Sequence, residues 1–432
     1  MDLLELVLAF VKSAEYRAAN SLAPSTRDIP RLPPLGSRVL VVRGDLNSST
    51  GYCRAIQLYV EAMAHRFDAI FGVDLHGHAS RFLPRWKHEL VGDAHLASLL
   101  QGCAPGSMVL NITTPDHFLR FDGALNVGLF FWESDRLQLP EWSMRLLFMD
   151  EIWAPTQQLL RALDESRYGL HVRYAPCPLP SDLPAYVPDD ALAGMLFREV
   201  GWDPHASASI RSLGRLRQQS SFVLATVNTL LPRKGYPVLA YEWLSWLKAQ
   251  PRDDAALLIK TGSIDIHKRP ADVHREIADI FGSIAATLGV QRTGVFVSTQ
   301  NVSDDSVQTL LATSDAYVTC SFGEGFGLGV FEALALGKPV ICGRHSGFEE
   351  LLPSNYPYFL ATDTSNYGVP DPVGLFSISS RWSVPIPGSL AKALARIAED
   401  AKSGELQAHV RAALDQATQM SRSRFAGVLD PR

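Results

Sequence analysis

The chain has 432 residues, 47% apolar and 20% charged, with a formal net charge of −5. This length exceeds one ordinary core and favours two or three domains, and the composition is that of a soluble globular protein. Up to Asp190 there are 17 basic and 22 acidic residues and beyond it 23 of each, so neither part is a basic surface and nucleic acid is argued against as a main partner.

The opening LLELVLAFVKSAEYRAA is too short to span a bilayer and lacks the basic start and small-residue cleavage site of a secretory leader, so an amphipathic helix is expected. Five scattered cysteines without CxxC spacing fit a reduced compartment, which points to the cytoplasm. After a connector holding Pro30, Pro33 and Pro34, RVLVVR at 38–43 reads as a buried strand, and GDLNSSTGYCRAI turns into a helix over 52–65. This is the opening of a Rossmann-like half. Gly51 lets backbone approach a ligand, but without full GxGxxG spacing an ordinary helix-entry turn serves equally well.

Short apolar runs at 69–73, 108–112, 127–131, 152–154 and 172–175 continue the strands. His76, His78, His88 and His95 crowd one region without companion cysteines or paired acids at ligand spacing, so no metal site is expected. Glu133 and Asp135 follow a strand end, where open α/β sheets place ligand-facing residues, and His117 follows the preceding one. For Glu133, a ligand-facing role and an ordinary pair with Arg136 stay open; His117 reads more simply as a loop residue.

Prolines 176, 178, 180, 184 and 188 and the polar segment to Ser220 mark the domain boundary, after which FVLATV at 222–227 restarts the strand pattern. The chain is divided at 1–200 and 201–403. In NTLLPRKG, Arg233 and Lys234 arrive at the start of a helix expected over 236–249, a placement that suits a diphosphate leaving group gaining charge. Successive residues there are expected to diverge, so that only one of the two cations faces the ligand. Further strands are read at 255–261 and 294–298, and Ser303 is placed as an N-cap.

The most informative stretch is AYVTCSFGEGFGLGVFEALALGKPVICGRHSG, 316–347. A β-rich strand leads into Gly323, Gly325 and Gly327, then helix formers over 328–336, Gly337 at a C′ position, and a strand over 340–342. A glycine-rich turn feeding a helix presents free N–H groups and the positive dipole end, so the amides of Gly325, Phe326, Gly327 and Leu328 make an anion site for phosphate. Glu324 precedes the turn and Glu332 lies about five residues into the helix, roughly 7 Å of rise away. That is the scale of a nucleotide sugar, with one carboxylate at the sugar and the other at ribose hydroxyls. Helices are expected over 388–419.

The pattern Glu, seven residues, Glu inside EGFGLGVFEALALGKPVI, followed by SGFEE, resembles glycosyltransferase family 4, a group of retaining enzymes. The block NVGLFFWESDRLQLPEWSMRLLFMDEIWAP resembles a subgroup in which Glu133 stands where other members carry a His. The resemblance implies an α/β fold of two facing Rossmann-like domains with a cleft between them (GT-B architecture), and a C-terminal helix, about 404–425, returning to the first domain. It implies that Gly51 faces the donor diphosphate, that 298–302 cups the base, and that His117, Glu133 and Asp135 lie on the acceptor side. Lys234 and Gly235 match the end of the family's GRLxxxKG, whereas Asn228 and Thr229 depart from its Gly and Arg, and Arg233 could supply the missing charge. Implied catalytic residues are Glu324, Lys234, Arg233 and Glu133; Gly51, Lys234, the 325–328 turn and Glu332 bind the donor.

The expected reaction moves a hexose from a nucleoside-diphosphate sugar to an acceptor hydroxyl on a glycan or glycolipid, in surface polysaccharide or glycoconjugate assembly. No DxD triplet occurs, so no metal or other cofactor is expected, with Lys234, Arg233 and the turn amides offsetting the charge. The expected location is cytoplasmic, with peripheral contact at the inner membrane face allowed. A nucleotide-sugar epimerase or hydrolase of the same fold, and a non-catalytic scaffold, stand as alternatives.

Overall fold

A computed structural model describes residues 33–46, 51–75, 88–137, 140–165, 169–179, 189–201, 209–263, 268–365, 368–369, 371 and 374–429. The expected N-terminal helix, His76 and His78 lie outside these residues. The chain forms two compact units, one of residues 1–130 and 140–153, the other of 131–139 and 154–432. No helix of the described residues is long and apolar enough to cross a membrane.

The first unit is built on parallel strands β1 (Val39–Gly44), β2 (Ala69–Asp74), β3 (His88–Leu90), β4 (Met108–Ile112), β5 (Leu125–Leu129) and β6 (Glu151–Ala154), in the order β3-β2-β1-β4-β5-β6. Strands such as VLVVRG are buried along their whole length, as a sheet covered on both faces requires, which is why they read as continuous apolar runs. Helix Gly51–Met63 follows β1 and buries Cys53, Ile56, Tyr59, Val60 and Met63. Arg43 is the exception in the core. Its guanidinium is satisfied by both Asp93 oxygens at 2.7 and 2.8 Å, by Asn111 and by the His117 carbonyl, so the buried charge is fully partnered.

The second unit continues with β7 (Val172–Tyr174) and then holds an eight-stranded sheet. In chain order its strands are β8 (Leu196–Glu199), β9 (Ile210–Ser212), β10 (Phe222–Val227), β11 (Ala255–Lys260), β12 (Val295–Ser298), β13 (Ala316–Val318), β14 (Val340–Gly343) and β15 (Phe359–Leu360). They run in the order β15-β14-β13-β10-β11-β12-β8-β9. Strands β10 to β15 pair in parallel, while β8 is antiparallel to β12 and β9 to β8. A separate hairpin pairs β16 (Thr362–Ser365) with β17 (Trp382–Pro385). Both units are thus Rossmann-like α/β layers.

Local sequence explains most boundaries. Helix Tyr236–Ala249 occupies the expected range, Ser303 caps Asp304–Thr313 by accepting from the Ser306 amide, and Gly337 takes φ +74° after Leu328–Ala335. One placement differs from expectation. Residues 196–199 join the second sheet rather than closing the first half, because their hydrogen-bond partners are β12 and β9. The last helix, Leu406–Leu429, packs within the second unit on Leu328–Ala335, Phe348–Leu351, Ser389–Ser403 and β7. The two compact units meet in sequence at 153/154, with 131–139 also in the second.

Candidate functional site

The site gathers where β10 and β13 end. After β10 the chain makes a single 3-10 turn, Pro232–Lys234, closed by Gly235 at φ +67°. A Cβ on Gly235 would lie 2.1 Å from the Cys320 carbonyl oxygen, so both conformation and space demand glycine. This contact seats the Arg233–Lys234 turn directly on the loop that follows β13. The Phe322 amide donates to the Arg233 carbonyl at 2.8 Å, and the Ser321 hydroxyl donates to it at 3.3 Å.

Both cations then enter one cluster. Lys234 Nζ donates to Glu324 Oε1 at 2.5 Å, and Arg233 Nη2 donates to Glu133 Oε1 at 2.5 Å. Arg233 Nη1 bonds the Gly323 carbonyl at 3.0 Å and lies 4.0 Å from the second Glu324 oxygen. All four side chains are between 11% and 19% exposed. The expectation that only one cation faces inward is corrected: the tight 3-10 turn with its left-handed glycine brings both to the same side. Glu133 pairs with Arg233, not with Arg136.

Burial lowers the Lys234 pKa, with Glu324 opposing that shift. Burial resists ionisation of Glu324 too, but Lys234 and Arg233 outweigh it and hold the carboxyl below the usual range. The two are a carboxylate and an ammonium in contact.

Glu133 is delivered by a segment packed on the glycine loop. A Cβ on Gly325 would meet Phe131 Cβ at 2.7 Å, and one on Gly323 would meet the Glu133 carbonyl oxygen at 2.5 Å. Trp132 packs at a tilt against Phe376 and Phe376 meets Trp382 edge-to-face, with ring centroids 5.0 and 5.1 Å apart, while the Ser134 hydroxyl bonds that of Ser380 at 2.7 Å. The strand before this segment ends at Leu129, so Glu133 and Asp135 lie on the loop beyond it. Asp135 accepts from the Arg381 amide at 2.9 Å.

Beyond the cluster the glycine turn opens helix Leu328–Ala335, with Gly327 as N-cap at φ +103°. The Val330 and Phe331 amides bond the Gly327 carbonyl, while those of Leu328 and Gly329 precede the first intrahelical bond and are available to an anion. Glu332 is the fifth residue of this helix and half-buried. Asn228, at the family's Gly position, bonds Thr226 and Thr319 through its side-chain amide and ties β10 to the β13 loop; Thr229 is half-buried.

Gly51 and His117 belong to the first unit, Gly51 opening its helix and His117 ending the 3-10 turn Pro115–His117. The His117 ring is 57% exposed beside Asp116, and its carbonyl is bound by Arg43. Nothing in the sequence pattern singles out His345. It is 6% exposed, its Nε2 lies 2.8 Å from the Ser321 carbonyl oxygen and its Nδ1 3.2 Å from the Ser346 hydroxyl. Burial pushes its pKa down to about 4, so it is a neutral strut donating from Nε2 to the backbone under the loop.

Among the described residues Asp400, Glu405 and His409 have donor atoms within 4.8 Å of one another, but Arg396 already bonds Asp400 at 3.0 Å and approaches Glu405 at 3.6 Å. This group is a salt-bridged cluster remote in sequence from the loops above.

Residues 216–366 match the family described as Glycosyl transferases group 1. The matched segment lies in the second unit. It contains Arg233, Lys234, Glu324, the glycine turn, Glu332 and His345. No curated protein sequence matches the chain. Among solved structures the fold is similar to the UDP-forming α,α-trehalose-phosphate synthase of Burkholderia xenovorans in complex with glucose-6-phosphate, at 14% identity and TM-score 0.58, covering 91% of this chain and 100% of that one. It is similar to the N-terminal domain of trehalose-6-phosphate phosphatase from Candida albicans, at 12% identity and TM-score 0.57, covering 91% and 97%. It is also similar to sucrose-phosphate synthase of Thermosynechococcus elongatus, at 14% identity and TM-score 0.53, covering 91% and 96%. At these identities the likeness is one of fold alone.

Proposed function

We propose that the chain is a retaining glycosyltransferase of the family 4 type, moving a hexose from a nucleoside-diphosphate sugar to an acceptor hydroxyl on a glycan or glycolipid. The observation that carries this reading is the buried contact of Lys234 with Glu324 at the entrance to the glycine turn, inside the segment that matches glycosyl transferases group 1. In the proposed pose the donor diphosphate takes the Leu328 and Gly329 amides together with Lys234 and Arg233. Glu324 supports the oxocarbenium-like sugar and Glu332 accepts from ribose.

The two cations are balanced by two carboxylates before ligand arrives, so the diphosphate competes with Glu324 for Lys234. Breaking the sugar–phosphate bond adds charge to the leaving group, and Lys234 then shifts its interaction toward phosphate. This makes its contribution larger in the transition state than in the bound donor. Glu133, tied to Arg233, is assigned to the acceptor side with Asp135 and His117, and Gly51 to the donor diphosphate. No metal is assigned a role. The proposed setting is the cytoplasm, with peripheral contact at the membrane during polysaccharide assembly, and the proposed division is an acceptor-side domain over 1–200 and a donor-binding domain over 201–403.

The test is release of free nucleotide from a panel of nucleoside-diphosphate sugars with and without acceptor extract. Release only with acceptor supports transfer. Release without acceptor points to a hydrolase or epimerase, and donor binding without turnover to a scaffold.

A further inference from the structure

A second polar feature lies two residues along the chain from Glu133. Asp135, Arg136, Gln158, Arg161 and Arg381 line a recess of about 260 Å³ within the second unit. They come from three separate places: the loop 131–137, the helix Gln157–Glu165, and the residue just before β17. The loop and the β17 side are held in register by the Asp135 bond to the Arg381 amide, the Ser134 bond to Ser380 and the Arg136 bond to the Ser379 hydroxyl at 3.2 Å. Gln158 ties the helix to the same loop through the Ser134 carbonyl at 2.8 Å.

The charge here is unbalanced. Among the described residues several arginines have carboxylate partners, as Arg43 has Asp93, Arg217 has Asp315 and Arg233 has Glu133. In the recess three guanidiniums meet one lining carboxylate, and Asp135 is engaged by backbone. Among the described residues none of Arg136, Arg161 and Arg381 is in an ion pair; Glu350 feels Arg161 electrostatically but is bound by Tyr174 and the Gln157 amide. Like charges brought together by three segments raise the local potential and favour an anion. Guanidinium forks match the oxygens of phosphate and carboxylate bidentately, and three of them against one engaged carboxylate suit the double charge of a phosphate monoester.

We infer that this recess binds a phosphate monoester carried by the acceptor. The inference rests on the glycosyltransferase reading, which it sharpens: the acceptor is a phosphorylated molecule, held by its phosphate while a hydroxyl is presented toward Glu133. Two residues of extended chain reach at most about 7 Å, which a single hexose ring spans.

Titration calorimetry on the full chain tests it, with inorganic phosphate, a hexose 6-phosphate and the same hexose without phosphate. The phosphate-bearing ligands bind and the bare hexose does not. In the Arg161→Ala/Arg381→Ala double variant, with folding checked by thermal melts, their affinity falls about ten- to hundredfold or more, as expected for losing charged hydrogen bonds. Arg381→Lys keeps part of the affinity. A lipid-borne monoester is distinguished with neutral phosphatidylcholine vesicles, plain or containing a polyprenyl phosphate: arginine-dependent capture by the doped vesicles alone assigns the same site to a lipid phosphate. Equal binding of hexose and hexose phosphate, or binding unaffected by the double variant, overturns the inference. Nucleoside diphosphate binding, titrated separately, keeps the two readings apart, since its failure removes the transferase reading whatever the recess does.

Discussion

Replacing Lys234 with Ala is the sharpest test of the site, because the same contact has a structural and a chemical consequence. Lys234 and Glu324 are 11% and 13% exposed and in contact at 2.5 Å, so truncation strands a carboxylate in a largely dry place. Breaking a buried pair in this way costs about 3–5 kcal/mol, and Arg233, 4.0 Å from the other Glu324 oxygen, keeps the loss near the low end. For a large domain each kcal/mol lowers Tm by about 2–4 °C, so a drop of about 6–12 °C is expected. Turnover should fall about a hundred- to thousandfold, the scale of a lost donor to a developing negative charge. Because Arg233 enters the same cluster, Arg233→Ala should also lower turnover, by about ten- to a hundredfold, the worth of a charged hydrogen bond. Melting and steady-state kinetics read both effects. A combined Lys234→Met/Glu324→Gln change, which leaves no unpaired charge, should recover most of the stability and none of the turnover. An Arg233→Ala variant more crippled than Lys234→Ala shifts the donor pose by one residue. A Lys234→Ala variant with an unshifted melt and turnover within about threefold of the parent refutes the reasoning outright.

Glu332→Ala should mainly raise the donor KM, whereas Glu324→Ala should lower kcat more than it raises KM, since a ribose contact is equal in ground and transition states; the same defect in both variants counts against the assignment. His345 gives a pH signature. Its native pKa is down at about 4 against an ordinary 6.5, so the unfolded chain binds more protons between those values and stability falls as pH drops from about 6.5 to about 4, by about 3 kcal/mol in all. His345→Gln, whose amide can still donate to Ser321, should flatten denaturation midpoints over that window, and an unchanged slope disproves a buried neutral imidazole. Activity should survive excess chelator, because the proposed charge-offsetting groups are cations and amides; complete loss restored by magnesium or manganese removes that mechanism.

What the sequence made legible was local. Continuous apolar runs gave β1, β10 and β11, the Ser303 cap and Gly337 bounded their helices within a residue or two, and helix Tyr236–Ala249 was readable from end to end. Strands β3 (HEL), β8 (LFRE) and β9 (IRS) were missed because, unlike equally short β13 (AYV) and β14 (VICG), they carry no continuous apolar run. β8 (LFRE) has one buried position among exposed and half-buried ones, so its identity as a strand depends on β12, about a hundred residues away. The site divides the same way. The spacing of Glu324 and Glu332 and the Arg–Lys turn are visible along the chain, but Glu133's partner is not. The nearby Arg136 was the natural local choice, and Arg233 wins because Phe131 and Glu133 fill the space left open at Gly325 and Gly323. His345 carried no signal at all, since a histidine in GRHSG reads as loop until β14 sets it beneath Ser321.

The charge cluster itself argues for use rather than for stability. Two cations and two carboxylates under 20% exposed sum to zero, and buried pairs of this kind commonly contribute little more than apolar residues of the same volume. A fold needing only cohesion at the ends of β10 and β13 would fill the space with side chains like those of its core. Instead the turn adopts a left-handed glycine, and the loop gives up side chains at Gly323 and Gly325 so that the Glu133 segment can close on it. Such an arrangement holds four charged groups in fixed positions with little water around them, where the arrival of a diphosphate changes the partner of each cation. Groups poised in this way cluster where ligands bind or react. The recess lined by Arg136, Arg161 and Arg381 has the opposite character, exposed and unbalanced, as suits a site that captures an anion from solvent rather than stabilising charge as it forms.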